Sequence, residues 1–155
     1  TRVRKLDEGH YEAVILAAAG LKRLGLEDRI TRLLTPSESL PAPGQGALGL
    51  ECLSRRSDLV EMLAALNHAA TARCVAAERA FSRALSGSCN VPLGAYAEAE
   101  GRNIRLRGFV AAPDGSRVVS GELKGAASDP EALGVTLAEG LKAQGAGEIL
   151  AALQT

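Results

Sequence analysis

Three strand-like runs in the second half of the chain constrain its fold most strongly. Gly101-Arg102 separates the first two runs and Pro113-Asp114-Gly115 the last two, and both segments are typical of antiparallel turns. In the second run, apolar side chains alternate with arginines, which indicates one buried and one wet face. The sequence therefore predicts a three-stranded antiparallel sheet formed by LGAYAEAE, NIRLRGFVAA and RVVSGELKG.

Helical patterns lie on both sides of these runs. SDLVEMLAALNH predicts a helix whose apolar face consists of Leu59, Met62, Leu63 and Leu66. A second helix is predicted over residues 69–84. Its inward side chains are expected to be Val75, Phe81 and Leu85, and its mostly outward ones Arg73, Glu78, Arg79 and Arg83.

A further helix follows the strands. Ser128 or Asp129 is expected to cap it, Pro130 lies in its first turn, and Gly145 ends it before a last short helix, AGEILAAL. From about residue 67 to the end, the chain is thus predicted to form a complete α+β domain with helices covering one face of the sheet.

The first third has a different pattern. Residues 12–19, EAVILAAA, and 47–53, ALGLECL, are continuous apolar runs typical of strands buried in a parallel sheet. Two such strands lack enough neighbours, so this part is predicted to be an incomplete piece of a larger α/β domain. The intervening TPSESLPAPGQG is either a ligand-facing loop or a plain linker.

Composition excludes several classes. The chain of 155 residues has 18 Lys and Arg against 18 Asp and Glu, with only 3% aromatic residues and no Trp, which argues against a nucleic-acid partner. No apolar run is long enough for a membrane span or a signal peptide, so we expect a cytoplasmic protein without a membrane partner. Three widely spaced cysteines do not suit a disulfide framework or a metal site.

Few side chains are candidates for chemistry. Cys52 and Cys74 are expected in the core, whereas Cys89 lies in LSGSCNVPLG, between turn residues, where a thiol is either structural or reactive and covalently modified. Among the basic residues near the start, Lys22 and Arg23 either bind an anion or form a solvated helix face. His68 is expected to cap or pack at a helix junction.

Four segments together resemble the porphobilinogen deaminase (hydroxymethylbilane synthase) family. They read TRVRKLDEGHYEAVILAAAGLKRLG, SLPAPGQGALGLEC, LNHAATARCVAAERAF and GSCNVPLGAYAE, and they cover essentially the whole chain. The resemblance implies a transferase of tetrapyrrole and heme biosynthesis. Such an enzyme joins four porphobilinogen molecules into hydroxymethylbilane with release of ammonia.

The resemblance also implies site residues. A dipyrromethane cofactor would be held through a thioether to Cys89, and its carboxylates and those of the growing pyrrole chain would contact Arg2 and Arg23. Gln45 would lie near the cleft, and Ala17 and Gly20 would belong to a turn whose amides face substrate carboxylates. A non-catalytic α+β module that binds a protein or small ligand is the alternative.

The resemblance extends only to the C-terminal half of the family. Residues 1–45 would be the end of domain 2, a periplasmic-binding-protein-like α/β domain, 46–66 a return segment to domain 1, and 67–155 the complete domain 3. The other half would supply the catalytic aspartate and would be this chain's partner in a monomeric parent. We therefore expect the parent to be active and this chain alone to be inactive.

Overall fold

The computed structural model describes residues 1–85 and 91–153, and it divides the chain into two units, Thr1–Thr35 and Pro36–Thr155. The first unit contains helix α1 (Arg2–Asp7), helix α2 (Ala18–Arg23) and a 3-10 turn over Glu27–Arg29. An ion pair between Arg29 and Asp7 joins this turn to the end of α1. Neither helix buries a residue.

The two apolar runs of the first third do not form strands. Residues 13–17 and 47–53 have no regular structure, and residues 18 and 19 of the first run belong to α2. The prediction of strands over 12–19 and 47–53 is therefore wrong for this structure. A strand requires a neighbour that accepts and donates its backbone hydrogen bonds. The described residues of the first unit contain no strand, and the strands described in the second unit pair with one another.

The second unit carries the antiparallel sheet. Its helices and strands, in chain order, are α3 (Ser57–Ala64), α4 (Ala69–Ala84), β1 (Leu93–Glu100), β2 (Asn103–Ala111), β3 (Val118–Ala126), α5 (Pro130–Leu141) and α6 (Gly147–Ala152). The sheet order is β1-β2-β3, and both pairings are antiparallel. The predicted sheet, the helix over 69–84 and the α+β class of this part are confirmed.

The core lies between the sheet and two helices. Helix α4 packs against β1, α5 packs against β3, and the two helices pack against each other. Alternation in β2 buries Ile104, Leu106 and Val110 completely, as its sequence predicts. Phe81 of α4 and Leu141 of α5 are also fully buried. The core thus covers one face of the sheet.

The other face of the sheet is charged. Glu98 of β1 accepts hydrogen bonds from Arg105 at 2.9 Å and from Arg107 at 2.6 Å, both on β2. The Arg107 guanidinium lies 5.7 Å from the centre of the Tyr96 ring. These charged side chains thus lie on the face opposite the core, as the alternation in β2 predicts.

Local chemistry sets the helix ends. The Asp129 carboxylate accepts from the Ala132 N–H at 3.3 Å, so Asp129 rather than Ser128 is the N-cap of α5. Gly145, with a φ of 105°, interrupts the helical path before α6. Among the described residues, no helix is long and apolar enough to cross a membrane.

Helix α3 departs from its prediction. It forms over Ser57–Ala64, but its apolar face is not packed: Met62 and Leu66 are largely exposed and the helix buries no residue. Leu63 and Leu66 instead line an open cavity of about 740 Å³ together with residues from 43–50 and α4. An apolar stripe establishes which side of a helix can be buried, but burial requires a packing partner.

Candidate functional site

The residues that the family resemblance assigns fall into two groups. Arg2, Ala17, Gly20 and Arg23 lie in the first unit, and Gln45 lies in the second. Cys89 lies outside the described residues, within 86–90.

The basic side chains of the first unit differ in whether they are paired. Arg4 pairs with Glu8 at 3.2 Å, and Lys22 pairs with Glu27 at 3.0 Å. Arg2 and Arg23 are exposed, and neither has an ion-pair partner among the residues that the structure describes. Of these four basic residues, the two that the resemblance selects are thus those whose guanidinium groups can still donate hydrogen bonds to a carboxylate.

Ala17 and Gly20 form the turn that starts α2. Ala17 has an extended conformation and is the N-cap, without a side-chain hydrogen bond. Its carbonyl accepts from the Gly20 N–H at 3.0 Å and from the Leu21 N–H at 3.3 Å. The Gly20 amide therefore already has an intramolecular acceptor in this structure.

Gln45 projects from a tight turn over residues 43–46. Gly44 and Gly46 flank it with φ of 75° and 87°, a left-handed conformation that glycine adopts without strain. The Gln45 N–H donates to the Ala42 carbonyl at 3.0 Å, while the residue itself is exposed. The turn thus presents a side chain that can both donate and accept hydrogen bonds.

A buried carboxylate holds this turn. Glu78 of α4 is only 5% exposed. Its Oε2 accepts from the Gly44 N–H at 2.6 Å, and its Oε1 accepts from the Ala97 N–H of β1 at 2.8 Å. Burial raises the pKa of the Glu78 carboxyl, and the two N–H bonds act in the opposite direction.

The prediction that Glu78 points mostly outward is wrong. Helical spacing contains the signal that would have placed it correctly, because Cys74, Glu78, Phe81 and Leu85 follow one another at intervals of three or four residues and are all buried. A carboxylate is usually assigned to solvent because of its charge. Here two backbone amides from distant segments compensate for burial.

The chain is held on both sides of the segment that contains Cys89. Before it, Leu85 is fully buried and its N–H donates to the Phe81 carbonyl at 3.2 Å. After it, the Pro92 carbonyl accepts from the Ala111 N–H at 2.9 Å, next to the start of β1. Residues 86–90 therefore connect two points that are tied into the core of the second unit.

The remaining candidates have structural roles. His68 is the N-cap of α4, and its Nδ1 accepts from the Thr71 N–H at 3.4 Å, which confirms the expected capping role. Cys74 is buried, as predicted, and burial raises the pKa of its thiol. Cys52 is only partly buried, because the strand expected to carry it into a core does not form.

Two family models match consecutive parts of the chain. A model described as "Porphobilinogen deaminase, dipyromethane cofactor binding domain" matches residues 1–61, and one described as "Porphobilinogen deaminase, C-terminal domain" matches residues 72–143. The first model bears out the expectation of a dipyrromethane cofactor.

Known proteins align along the same length. Over 153 residues the chain is 61% identical to the porphobilinogen deaminase of Nitrosomonas europaea, and the aligned region covers 99% of this chain and 50% of that protein. The corresponding identity is 58% for Methylobacillus flagellatus, over 99% of this chain and 49% of that protein. For Laribacter hongkongensis it is 52% over 154 residues, 99% of this chain and 50% of that protein. The chain spans about half the length of the curated relatives that it matches.

Proposed function

Because the chain belongs to the porphobilinogen deaminase family, we propose that it is the C-terminal half of a hydroxymethylbilane synthase. The whole enzyme would be a transferase that joins four porphobilinogen molecules head to tail and releases ammonia. The observation that carries this proposal is the consecutive match of two models of one family, together with 52–61% identity over 99% of the chain. The comparisons do not favour the alternative of a non-catalytic binding module.

The basic residues of the first unit fit a polycarboxylate ligand. Each pyrrole unit carries an acetate and a propionate, so a dipyrromethane and the chain that grows on it are strongly anionic. We assign carboxylate binding to Arg2 and Arg23, whose guanidinium groups are exposed and unpaired among the described residues. A planar guanidinium can hold a carboxylate through two parallel hydrogen bonds, which orients the ligand as well as attracting it.

Cys89 is proposed as the attachment point of the dipyrromethane through a thioether. When bound, that group would supply a primer whose free terminal pyrrole carbon takes the first porphobilinogen, each later one being added to the end of the growing chain with loss of its amino group as ammonia. The role of Cys89 is then to keep the primer in the cleft, which gives successive additions a high effective concentration. Cys89 lies within residues 72–143, which match the C-terminal-domain model, whereas Arg2 and Arg23 lie within residues 1–61, which match the cofactor-binding-domain model.

Gln45, Ala17 and Gly20 complete the proposed ligand contacts. Gln45 stands on a turn held to α4, so its amide can reach a ligand from a supported position. Ala17 and Gly20 would shape the backbone at the start of α2. Since the Gly20 N–H already donates to Ala17, its contribution there would be the space left by its missing side chain.

We also propose that the two apolar runs become strands when the other half of the enzyme is present. Ile15 is 76% exposed and Leu48 is 83% exposed, which is unusual for apolar side chains in the middle of continuous apolar runs. In the proposed whole enzyme, residues 1–45 complete a periplasmic-binding-protein-like α/β domain 2, and residues 46–66 return to domain 1. Residues 67–155 form domain 3.

The proposed function requires the other half for activity, because that half is expected to supply the catalytic aspartate. The test is to express this chain alone and together with the N-terminal half of the Nitrosomonas europaea relative, and to measure conversion of porphobilinogen to hydroxymethylbilane. We expect product only from the pair. Intact mass should show an addition of two linked pyrrole units on this chain, and Cys89→Ser should abolish it.

Cys52→Ser is the matched control, because Cys52 is the partly buried thiol to which no role is assigned. It should leave the added mass in place. Product formation by the chain alone would refute the proposed dependence on the other half. A pair that folds and associates but carries no added mass and forms no product would refute the function itself.

A further inference from the structure

Glu78 joins three segments of the second unit at one buried carboxylate. It belongs to α4, and its two oxygens accept from different elements: the turn at Gly44 (2.6 Å) and strand β1 at Ala97 (2.8 Å). Among the described residues no lysine or arginine forms an ion pair with it, so backbone amides are its polar partners. A charge placed in this way is costly unless both amides stay in position.

Glu78 lies beside the edge of β1 that is not paired with another strand. Strand β1 is an edge strand, and its Ala95 and Ala97 amides point away from β2. The Ala95 N–H donates to the Pro41 carbonyl at 3.0 Å, and the next such amide, Ala97, donates to Glu78. Residues 41–44 are therefore held along this edge at two points, one of them through Glu78.

The three joined segments carry, or are close in sequence to, proposed ligand-contact residues. The turn held at Gly44 presents Gln45. Helix α4 ends immediately before the connection that contains Cys89, and β1 begins shortly after it. One carboxylate thus links the support of Gln45 to both elements that flank the Cys89 connection.

We propose that Glu78 is a positioning residue that holds the Gln45 turn in a defined place against α4 and β1. This inference rests on the proposed function, because the position of Gln45 matters only if Gln45 contacts the ligand. Glu78 itself does not contact the ligand. Its effect passes through Gln45.

The first test measures amide hydrogen exchange by NMR on the full chain. In the wild-type protein, the Gly44 N–H should exchange at least about tenfold more slowly than the Gly46 N–H of the same turn, which has no acceptor among the described residues. If the two amides exchange at equal rates in the wild-type protein, the proposal is overturned before any variant is made.

Glu78→Gln then removes one of the two acceptor oxygens at nearly constant volume. Because the pairing of β1 with β2 holds the strand on either side of Ala97, the turn should give way first, and Gly44 exchange should accelerate at least about tenfold. The Leu106 amide in the central strand should change by less than about threefold. Glu139→Gln is the matched control, since Glu139 pairs only with Lys142 on the surface. Equal acceleration at Gly44 and Leu106 would mean that Glu78 merely stabilises the fold.

The second test is a double-mutant cycle in the two-part enzyme. If Glu78 acts through Gln45, the Glu78→Gln variant should keep the added pyrrole mass, but its turnover number should be about tenfold lower than that of the wild type. The same change should then cost less than about threefold in a Gln45→Ala background. Independent effects that multiply would overturn the proposal. If the wild-type pair is inactive, the proposed function fails, whereas the exchange measurements still report on the role of Glu78.

Discussion

Replacing Gly134 by alanine tests the packing of α5 against α4, the helix that carries Glu78 and ends shortly before Cys89 in the sequence. A Cβ at Gly134 would overlap the Ala77 carbonyl oxygen and would lie 2.7 Å from the Phe81 nitrogen and 2.8 Å from the Ala80 Cβ. Two of these three atoms belong to the backbone, so they cannot rotate away. To restore ordinary contact distances, α4 and α5 must separate by roughly 1 Å.

The expected magnitude follows from two opposing effects. Overpacking in a rigid core costs about 1–3 kcal/mol or more, and the backbone partners place Gly134→Ala at the upper end of that range. Replacement of glycine by alanine inside a helix recovers up to about 1 kcal/mol. We therefore expect a net loss of about 2 kcal/mol or more in the free energy of unfolding.

Gly140→Ala is the matched control in the same helix. An added Cβ there meets no atom within 4 Å, so only the gain in helix propensity remains, about 0.5–1 kcal/mol. Urea unfolding followed by far-UV circular dichroism would measure both variants, with the denaturant dependence used to check that the unfolding transition is unchanged. If both variants shift stability in the same direction, the reasoning about the α4–α5 contact is refuted.

Three further predictions test other parts of the second unit. Asp129→Ala should lower the free energy of unfolding by about 1 kcal/mol through loss of the α5 cap, whereas Ser128→Ala should change it by less than about 0.5 kcal/mol; the reverse order in urea unfolding would assign the cap to Ser128. Gly108→Ala should cost about 1–3 kcal/mol, because its Cβ would lie 2.5 Å from the Cζ of the fully buried Phe81, and an unchanged midpoint would show that the ring can move. Burial raises the pKa of Glu78, so its contribution to stability is largest below about pH 4.5 and declines as pH rises through the raised value. Urea midpoints from pH 4 to 8 should decline less in Glu78→Gln than in the wild type, and identical pH profiles would contradict this assignment.

Local sequence patterns were sufficient for most of the second unit. The spacing of apolar residues predicted α4 and the three strands, and Pro130 together with a cap at Ser128 or Asp129 predicted the start of α5. These signals suffice because the sheet and its covering helices lie in one stretch of chain, where each element has its packing partner nearby in sequence. The same patterns do not reveal the hydrogen bonds of Glu78, because its two donors lie 34 positions before it and 19 positions after it in the chain.

Local patterns were not sufficient for the first third. Residues 12–19 and 47–53 have the composition of buried strands, yet residues 13–17 and 47–53 remain irregular, because a strand exists only when another strand pairs with it. The apolar stripe of α3 likewise identifies a face without supplying what packs on it.

The sequence by itself thus determined the α+β part and the family, since propensity, periodicity and motif order are properties of the chain alone. Only the tertiary structure decided which polar groups meet. It distinguished Arg2 and Arg23, which have no ion-pair partner among the described residues, from the paired Arg4 and Lys22, and it placed the carboxylate of Glu78 inside the protein. Such pairings depend on distances between residues far apart in the chain, which no local pattern encodes.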